Sequence, residues 1–320
     1  MKSVRIHEHG GIDQLILEDV PTPRVGPNDV LVRVQATSIN HLDLWVRRGL
    51  PGVKFPLPMI PGVDAAGLVE EAGSEVRHVR IGDRVVVVQG ISCGQCKACL
   101  NGDDNLCKGY RLIGEHRDGA DAEFLAVPGR NILKLPDSVS FEAAAASALV
   151  FLTAWHMLLN KAKLQPGDDI LVVGASSGVG SAALQIAKML GARVIATTSS
   201  EEKAAKAREL GADEVINYKT HSVLDQVRRL TEKKGVEVVF DHVGVSVWEE
   251  CIKAMAKGGR LVTCGATSGY EAKIDLRHIF YKQLQILGST MGRKGDLITI
   301  LNLIERGLLK PVIDRVMPLA

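Results

Sequence analysis

From Val4 to Val127 the apolar residues come in short runs, such as Val30-Leu31-Val32-Arg33-Val34 and Arg84-Val85-Val86-Val87-Val88, broken by Pro21-Thr22-Pro23 and Gly26-Pro27-Asn28. Alternating or β-branched runs bounded by Gly and Pro predict strands, so this part is expected to be an irregular β-rich domain. The texture changes after Leu135-Pro136. An Ala-rich stretch from Ser140 to Ala148 leads into a helical run, Leu149 to Lys161, and Gln165-Pro166-Gly167-Asp168 turns the chain into a new series. There, strands over 169–174, 193–197, 214–217, 236–240 and 260–264 alternate with helices over 178–190, 201–210, 223–231 and 246–256. Short continuous apolar strands separated by amphipathic helices predict a parallel sheet covered on both faces. The expected fold class is therefore α/β, a β-rich domain followed by a doubly wound sheet, with the boundary near residue 150.

The length, 320 residues, suits two domains. Hydrophobic residues at 46% and charged residues at 24% exclude intrinsic disorder. Basic and acidic side chains nearly balance, 39 against 37, and no Lys/Arg run is long enough to track many phosphates, so nucleic acid is not an expected partner. The charged N-terminus, with Lys2, Arg5, His7 and Glu8, lacks the apolar core of a signal peptide, and no window holds about 18 uninterrupted apolar residues. Neither export nor a membrane is expected. Four of the six cysteines fall within residues 93–107 while Cys251 and Cys264 stand apart, which fits a metal clip in a reducing cytoplasm better than a disulfide framework.

Two motifs carry chemistry. The run Ile170-Leu171-Val172-Val173 enters Gly174-Ala175-Ser176-Ser177-Gly178-Val179-Gly180 and then a helix, the strand–turn–helix setting in which small residues let backbone N–H groups approach a dinucleotide pyrophosphate. At the end of the next strand, where an acid would bond the ribose 2′-hydroxyl and select NAD, the chain reads Thr197-Thr198-Ser199-Ser200. The nearest acids, Glu201 and Glu202, lie in a first helical turn, and Ser199 with Glu202 has capping-box spacing. With hydroxyls at the strand end and Lys203 beyond, NADP(H) is favoured over NAD(H). The second motif is Cys93-x2-Cys96-x2-Cys99-x7-Cys107, whose spacing lets one loop close on zinc; four thiolate ligands leave no open position, so this zinc is structural, one per chain.

With these motifs the chain resembles the medium-chain dehydrogenase/reductase superfamily, along nearly its whole length. The resemblance implies a GroES-like catalytic domain over 1–149, a Rossmann domain over 150–288, and 289–320 returning to the first. In that superfamily catalytic zinc is held by a C-H-T-D-like motif, a G-H-E motif and a Cys or acid just before the Rossmann domain. Here those places read Asn40-His41-Leu42-Asp43, Gly62-Val63-Asp64 and Leu149. Val63 and Leu149 have no ligand atom, neutral Asn40 is a poor one, and Asp64 alone does not make a site. These stretches are similar to the zinc-independent quinone oxidoreductase branch, in which a Lys and a Tyr after the second Rossmann strand hold NADPH, here Lys203 and Tyr218. The cysteine lobe departs from the common quinone oxidoreductases, so the chain lies between two branches. Gln283 to Ser289 resembles the superfamily's last Rossmann strand, which pairs across a two-fold axis, implying a homodimer or homotetramer. The chain stops at Met317-Pro318-Leu319-Ala320, where relatives add a helix and a returning strand, so the segments flanking those elements, including Val30–Val34, are expected to show weaker hydrogen-exchange protection than Ile170–Val173 and Val236–Phe240.

The expected activity is NADPH-dependent hydride transfer to a quinone, an enone or another activated carbonyl or double bond, without catalytic zinc. Asn40 is the expected donor to developing negative charge, with His41 or Thr153 at the cofactor ribose or amide, Asp43 beside them, and Trp45 as a candidate wall of the substrate pocket. His242 and Gly265, which end two later strands, are expected on the cofactor side. His156 is expected to be a packed core residue. The alternatives are an alcohol dehydrogenase using NAD(H), and a redox sensor that binds NADPH without turnover.

Overall fold

A computed structural model describes residues 1–319 and divides into two units, residues 1–149 with the segment from 293 onward, and 150–292. The strands of the first unit are β1 Lys2–Arg5, β2 Ile16–Asp19, β3 Asp29–Ala36, β4 Ala66–Ala72, β5 Arg84–Val87, β6 Gly90–Ile91, β7 Arg111–Leu112, β8 Phe124–Pro128 and β9 Ile132–Lys134. Five of them form an antiparallel sheet in the order β8-β3-β4-β5-β9, and β1-β2 and β6-β7 pair separately. Val30, Val32, Val69, Val85, Val87, Leu125 and Val127 build the core, while Arg33 between Val32 and Val34 faces out. The alternation of a sheet packed on one face is only partial here, since Leu31 and Val86 between these core residues are buried as well.

This unit also contains two helices that the β-rich reading missed, and most of a third that begins in it. Helix α1, His41–Arg48, carries Leu42, Trp45 and Val46 at helical spacing but spans only two turns, too short a run to stand out among the strands. Its ends are marked by charge: Asp43 in the first turn and Arg47 and Arg48 in the last complement the helix dipole. Helix α2, Lys97–Leu100, lies in the cysteine lobe. Helix α3, Phe141–Trp155, is longer than expected: the Ala-rich stretch and the run from Leu149 are one helix, widening into a π turn over His156–Lys161. Ala is the best helix former, and the Ser140 hydroxyl accepts from the Ala143 N–H at its start. By length and composition Phe141–Lys161 could cross a bilayer, but 61% of that window is buried inside the fold, as in a core helix.

The second unit alternates strand and helix: β10 Asp169–Val172, α4 Gly178–Met189, β11 Arg193–Thr198, α5 Glu201–Glu209, β12 Glu214–Asn217, α6 Val223–Leu230, β13 Val236–Asp241, α7 Val245–Ala254, β14 Met255–Thr263, α8 Leu276–Lys282 and β15 Gln285–Gly288. The six strands form one parallel sheet in the order β12-β11-β10-β13-β14-β15. Strand order reverses at β10, which opens a crevice at the carboxyl ends of the central strands. Leu171, Ile195, Val239 and Leu261 pack with Val227 and Ile252 beneath the sheet's covering helices. The helix expected over 246–256 ends two residues early, because Met255 already pairs with Val236 and the register shifts before Val238 meets Arg260. Helix α8 buries no residue and gave no amphipathic signal. The chain returns to the first unit with α9, Lys294–Glu305.

Candidate cofactor and active site

The turn between β10 and α4 is built for an anion. Gly174 has φ +64°, and a Cβ on Gly180 would lie 2.4 Å from the Gly174 carbonyl oxygen, so both positions require glycine. Gly174 N–H donates to the Thr197 hydroxyl (3.0 Å) and Ala175 N–H to the Thr197 carbonyl (3.0 Å), tying the turn to β11. Ser177 caps α4, its hydroxyl accepting from Gly180 N–H at 3.0 Å. The N–H groups of Gly178 and Val179 lie in the first helical turn and have no acceptor within the helix, so with Ser176 they are candidates to bind an anion. His242 Nε2 lies 3.0 Å from the Ser177 hydroxyl and would meet a Cβ on Gly174 at 3.1 Å. The structure thus sets His242 directly behind the turn. Gly265 crosses near it, where a Cβ would lie 2.8 Å from the His242 carbonyl oxygen.

A cavity of about 440 Å³ opens beside the turn, lined by Gly174, Thr197, Tyr218, His221, Val243 and Glu250 among others. Its size suits part of a cofactor. Tyr218 bonds back to β11 through its N–H on the Thr198 carbonyl (3.0 Å), and the Lys219 ammonium lies 5.7 Å from its ring centre. Neither acid at the strand end is free: Glu201 accepts from Asn217 Nδ2 (3.2 Å) and Glu202 pairs with Lys206. The cap of α5 is Ser200, whose hydroxyl accepts from Lys203 N–H, and not Ser199 as the spacing suggested. The chain enters the helix one residue later than the capping-box spacing implies. That leaves the Ser199 hydroxyl beside Lys203 Nζ at 3.4 Å. His221 and Glu250 were not singled out from sequence, because one lies in the turn between β12 and α6, the other in the middle of α7, and no motif relates them.

In the first unit the positions around Asn40 converge on one carboxylate. Asp64 is fully buried and accepts four hydrogen bonds: from the Ser38 hydroxyl (2.6 Å), Asn40 Nδ2 (2.7 Å), Gln89 Nε2 (2.5 Å) and Leu149 N–H (3.0 Å). Burial raises its pKa, and these donors oppose the rise. Asn40 was expected to donate to substrate, but its amide nitrogen is committed to Asp64 and also lies 3.5 Å from Ser38 O, while its side chain takes part in the capping box of α1. A carboxylate can face only the –NH2 end of the amide, which fixes its orientation. Asp43 Oδ2 accepts from the Asn40 backbone N–H at 2.6 Å, while its Oδ1 is buried without a partner. Burial, reinforced by Asp121 and Asp64, pushes Asp43 up to about 8 against the pull of the Asn40 N–H. His41 stacks edge-on against Trp45 (5.0 Å, 80°), and burial followed by Arg48 lowers its pKa, which favours the neutral ring. In the second unit the Thr153 hydroxyl is buried without a partner, and His156 is a core residue bonded to Asn160 (3.0 Å).

The four cysteines converge as their spacing implies. Their sulfurs lie within 4.8 Å of one another, with Cys93 and Cys99 at 3.9 Å and Cys96 and Cys99 at 3.5 Å. Ligands at 2.3 Å around tetrahedral zinc stand roughly 3.8 Å apart, so the cage fits that ion. Backbone N–H groups of Gln95 and Cys96 draw the Cys93 thiol down to about 6. Although the Cys99 N–H pulls the other way, Cys96 is pushed up to about 11 by the sulfurs it shares protons with. Four thiols so close ionise together only around a cation. Among the described residues no other group of three His, Cys, Asp or Glu side chains converges in this way. The lobe is anchored at a distance in sequence: Asp104 accepts from Lys294 N–H at the start of α9 (2.9 Å, 190 residues away), and Asp103 pairs with Arg293 (2.5 Å).

Comparison with known proteins agrees with this geometry. Residues 26–137 match the alcohol dehydrogenase GroES-like domain and residues 178–306 match the zinc-binding dehydrogenase domain. The chain is 35% identical to an NAD-dependent alcohol dehydrogenase of Saccharolobus solfataricus, covering 100% of this chain and 93% of that protein. It is 33% identical to a quinone oxidoreductase of Salmonella typhimurium, covering 85% and 75%. A crystal structure of an NAD-dependent alcohol dehydrogenase superposes with a TM-score of 0.96 at 49% identity, covering 100% of this chain and 93% of that one. The GroES-like unit, the Rossmann sheet and the cysteine lobe are thus those of an NAD(P)H-dependent oxidoreductase, and the chain belongs to the medium-chain dehydrogenase/reductase superfamily.

Proposed function

We propose that this protein transfers hydride from NADPH to a quinone, an enone or another activated carbonyl or double bond, and does so without catalytic zinc. The observation that carries this reading is the Asp64 cluster: where the superfamily gathers zinc ligands, this chain gathers Asn40, Gln89, Ser38 and the Leu149 N–H around a single carboxylate, with apolar side chains at Val63 and Leu149. When bound, the nicotinamide supplies the hydride. The protein's part is to hold the cofactor and to meet charge on the acceptor. The turn from Gly174 to Gly180 takes the pyrophosphate, and Tyr218 flanks the adenosine. Asp64 holds the Asn40 amide, so in the first unit His41 and water are left to meet charge on the acceptor oxygen. Four cysteines clustered at metal-ligand spacing suit a reducing cytoplasm better than a disulfide framework does.

A second reading, alcohol oxidation with NAD(H), is favoured by the names of the relatives at 35% and 49% identity. Steady-state turnover separates the two. NADPH and NADH oxidation with a quinone, an enone and an aldehyde is compared with alcohol oxidation by NAD+ and NADP+. Fastest turnover of the activated acceptors with NADPH is the expected result; alcohol oxidation as the best reaction overturns the proposal, and no turnover at all favours a binding protein.

Lys203, beside the Ser199 hydroxyl, is placed to pair with a 2′-phosphate. Lys203→Ala is expected to weaken NADPH by about 1.5–3 kcal/mol, as for a charged hydrogen bond, and to leave NADH nearly unchanged. Equal weakening in paired titrations contradicts the NADP preference. The assembly follows from the opposite edge of the sheet, where β15 has no partner strand on one side and Leu276, Phe280 and Tyr281 of α8 are exposed. An apolar edge is a liability unless covered. The proposed solution is a homodimer, or a tetramer built from it, and light scattering at micromolar concentration that reports a monomer contradicts it.

A further inference from the structure

We propose that His242 is a positioning residue for the cofactor pyrophosphate, which it serves by turning the Ser177 hydroxyl hydrogen toward the anion when it takes up a proton. The inference rests on the placement of the cofactor at the turn between β10 and α4.

The Ser177 oxygen has two lone pairs and one hydrogen. One lone pair is used, because the hydroxyl accepts from Gly180 N–H at 3.0 Å. The remaining lone pair and the hydrogen are left for His242 Nε2, at 3.0 Å, and for whatever occupies the turn. With Nε2 unprotonated, the hydroxyl donates to it and presents no hydrogen to the anion. With Nε2 protonated, the ring donates to the free lone pair, and the hydroxyl hydrogen is released to rotate into the turn. One proton taken up from solvent at Nε2 therefore supplies one extra O–H donor and one positive charge behind the phosphate site.

The surroundings suit this exchange. Burial holds His242 below the ordinary imidazole range, while Asp241 and the carbonyls of Gly174, Val173 and His242 itself favour the charged ring. Asp241 accepts from Val243 N–H (2.9 Å), Gly244 N–H (3.2 Å) and the Thr263 hydroxyl (3.2 Å). Burial raises the Asp241 pKa, and the thiol of Cys264 is pushed up to about 12 by burial and Asp241, so that sulfur stays neutral. Phe240 meets the imidazole edge-on at 6.4 Å and carries no charge. A dianionic pyrophosphate in the turn adds the missing favourable term for protonation, and by linkage protonation favours the pyrophosphate equally.

ADP-ribose is the probe, because it carries the pyrophosphate without a 2′-phosphate that titrates in the same range. Calorimetric titrations of the full chain at pH 6.5 in two buffers of different ionisation heat are expected to show net proton uptake on binding, and the Kd is expected to tighten about tenfold from pH 8 to pH 5.5. His242→Gln, which keeps a polar side chain but takes no proton in this range, is expected to bind with no uptake and a flat Kd. Ser177→Ala tests the second half: His242 remains, but the released donor is gone, so at least half of the pH slope should vanish. Binding by the native chain without proton uptake, or uptake that persists in His242→Gln, overturns the role of His242 and leaves the cofactor site standing. No ADP-ribose binding at any pH overturns the site and the inference together. Circular dichroism of both variants confirms that the comparison is made between folded chains.

Discussion

Replacing Cys107 by Ser is expected to release the structural zinc and lower the melting temperature by roughly 10–20 °C. Cys107 is the buried member of the cage, and its sulfur also accepts from the Cys93 N–H at 3.5 Å. Structural zinc contributes about 10–16 kcal/mol of apparent binding free energy in small domains, so forfeiting even a third of it costs several kcal/mol. For a domain of this size each 1 kcal/mol shifts the melting temperature by about 2–4 °C. Metal analysis of the native chain should give one zinc, and two per chain would sink the zinc-free active site. Scanning calorimetry with and without chelator checks the size of the effect.

Asp64→Ala is the second large effect, expected at about 3 kcal/mol of lost stability. It strands the Ser38 hydroxyl, the Asn40 and Gln89 amides and the Leu149 N–H, all within one cluster, and a buried donor left without an acceptor costs about 1–3 kcal/mol. Removing a fully buried charge recovers part of that, since its desolvation no longer has to be met. Asp64→Asn keeps the shape and one acceptor oxygen and should lose about half as much. Urea unfolding measures both, with the zinc content recorded beside it. If Asp64 held a metal, either variant would lower the zinc count; the expected count is unchanged.

The central βα units were legible almost residue by residue, because β10, β11 and β13 are buried on both faces and α4 to α7 each begin at a hydroxyl cap or a glycine. The same local logic misplaced the cap of α5 by one residue, since Ser199 and Ser200 offer identical chemistry and only the path of the chain decides between them. The cysteine cage was legible because its four ligands lie on one loop. The Asp64 cluster was not. Its donors come from residues 38, 40, 89 and 149, one of them is a backbone N–H, and no spacing relates them. Reading Asp64 as one stray ligand overlooked the network of donors around it. Asn40 shows the cost: its residue type pointed to a donor for substrate, while its neighbours had already claimed the amide.

The contacts of Asp103 and Asp104 with Arg293 and Lys294 also set an order of events during synthesis. Residues 150–292 form one uninterrupted stretch that can fold as soon as it leaves the ribosome, whereas the first unit is divided and needs α9 to complete it. At roughly 5–20 residues per second, the cysteine lobe waits on the order of ten seconds or more for its C-terminal partner. During that interval the thiols are present but the helix that braces their loop is not. Metal supply at that moment, more than at the end of synthesis, decides how much of the chain matures correctly, and zinc-starved cells should accumulate molecules whose nucleotide unit is native and whose first unit is open to proteases.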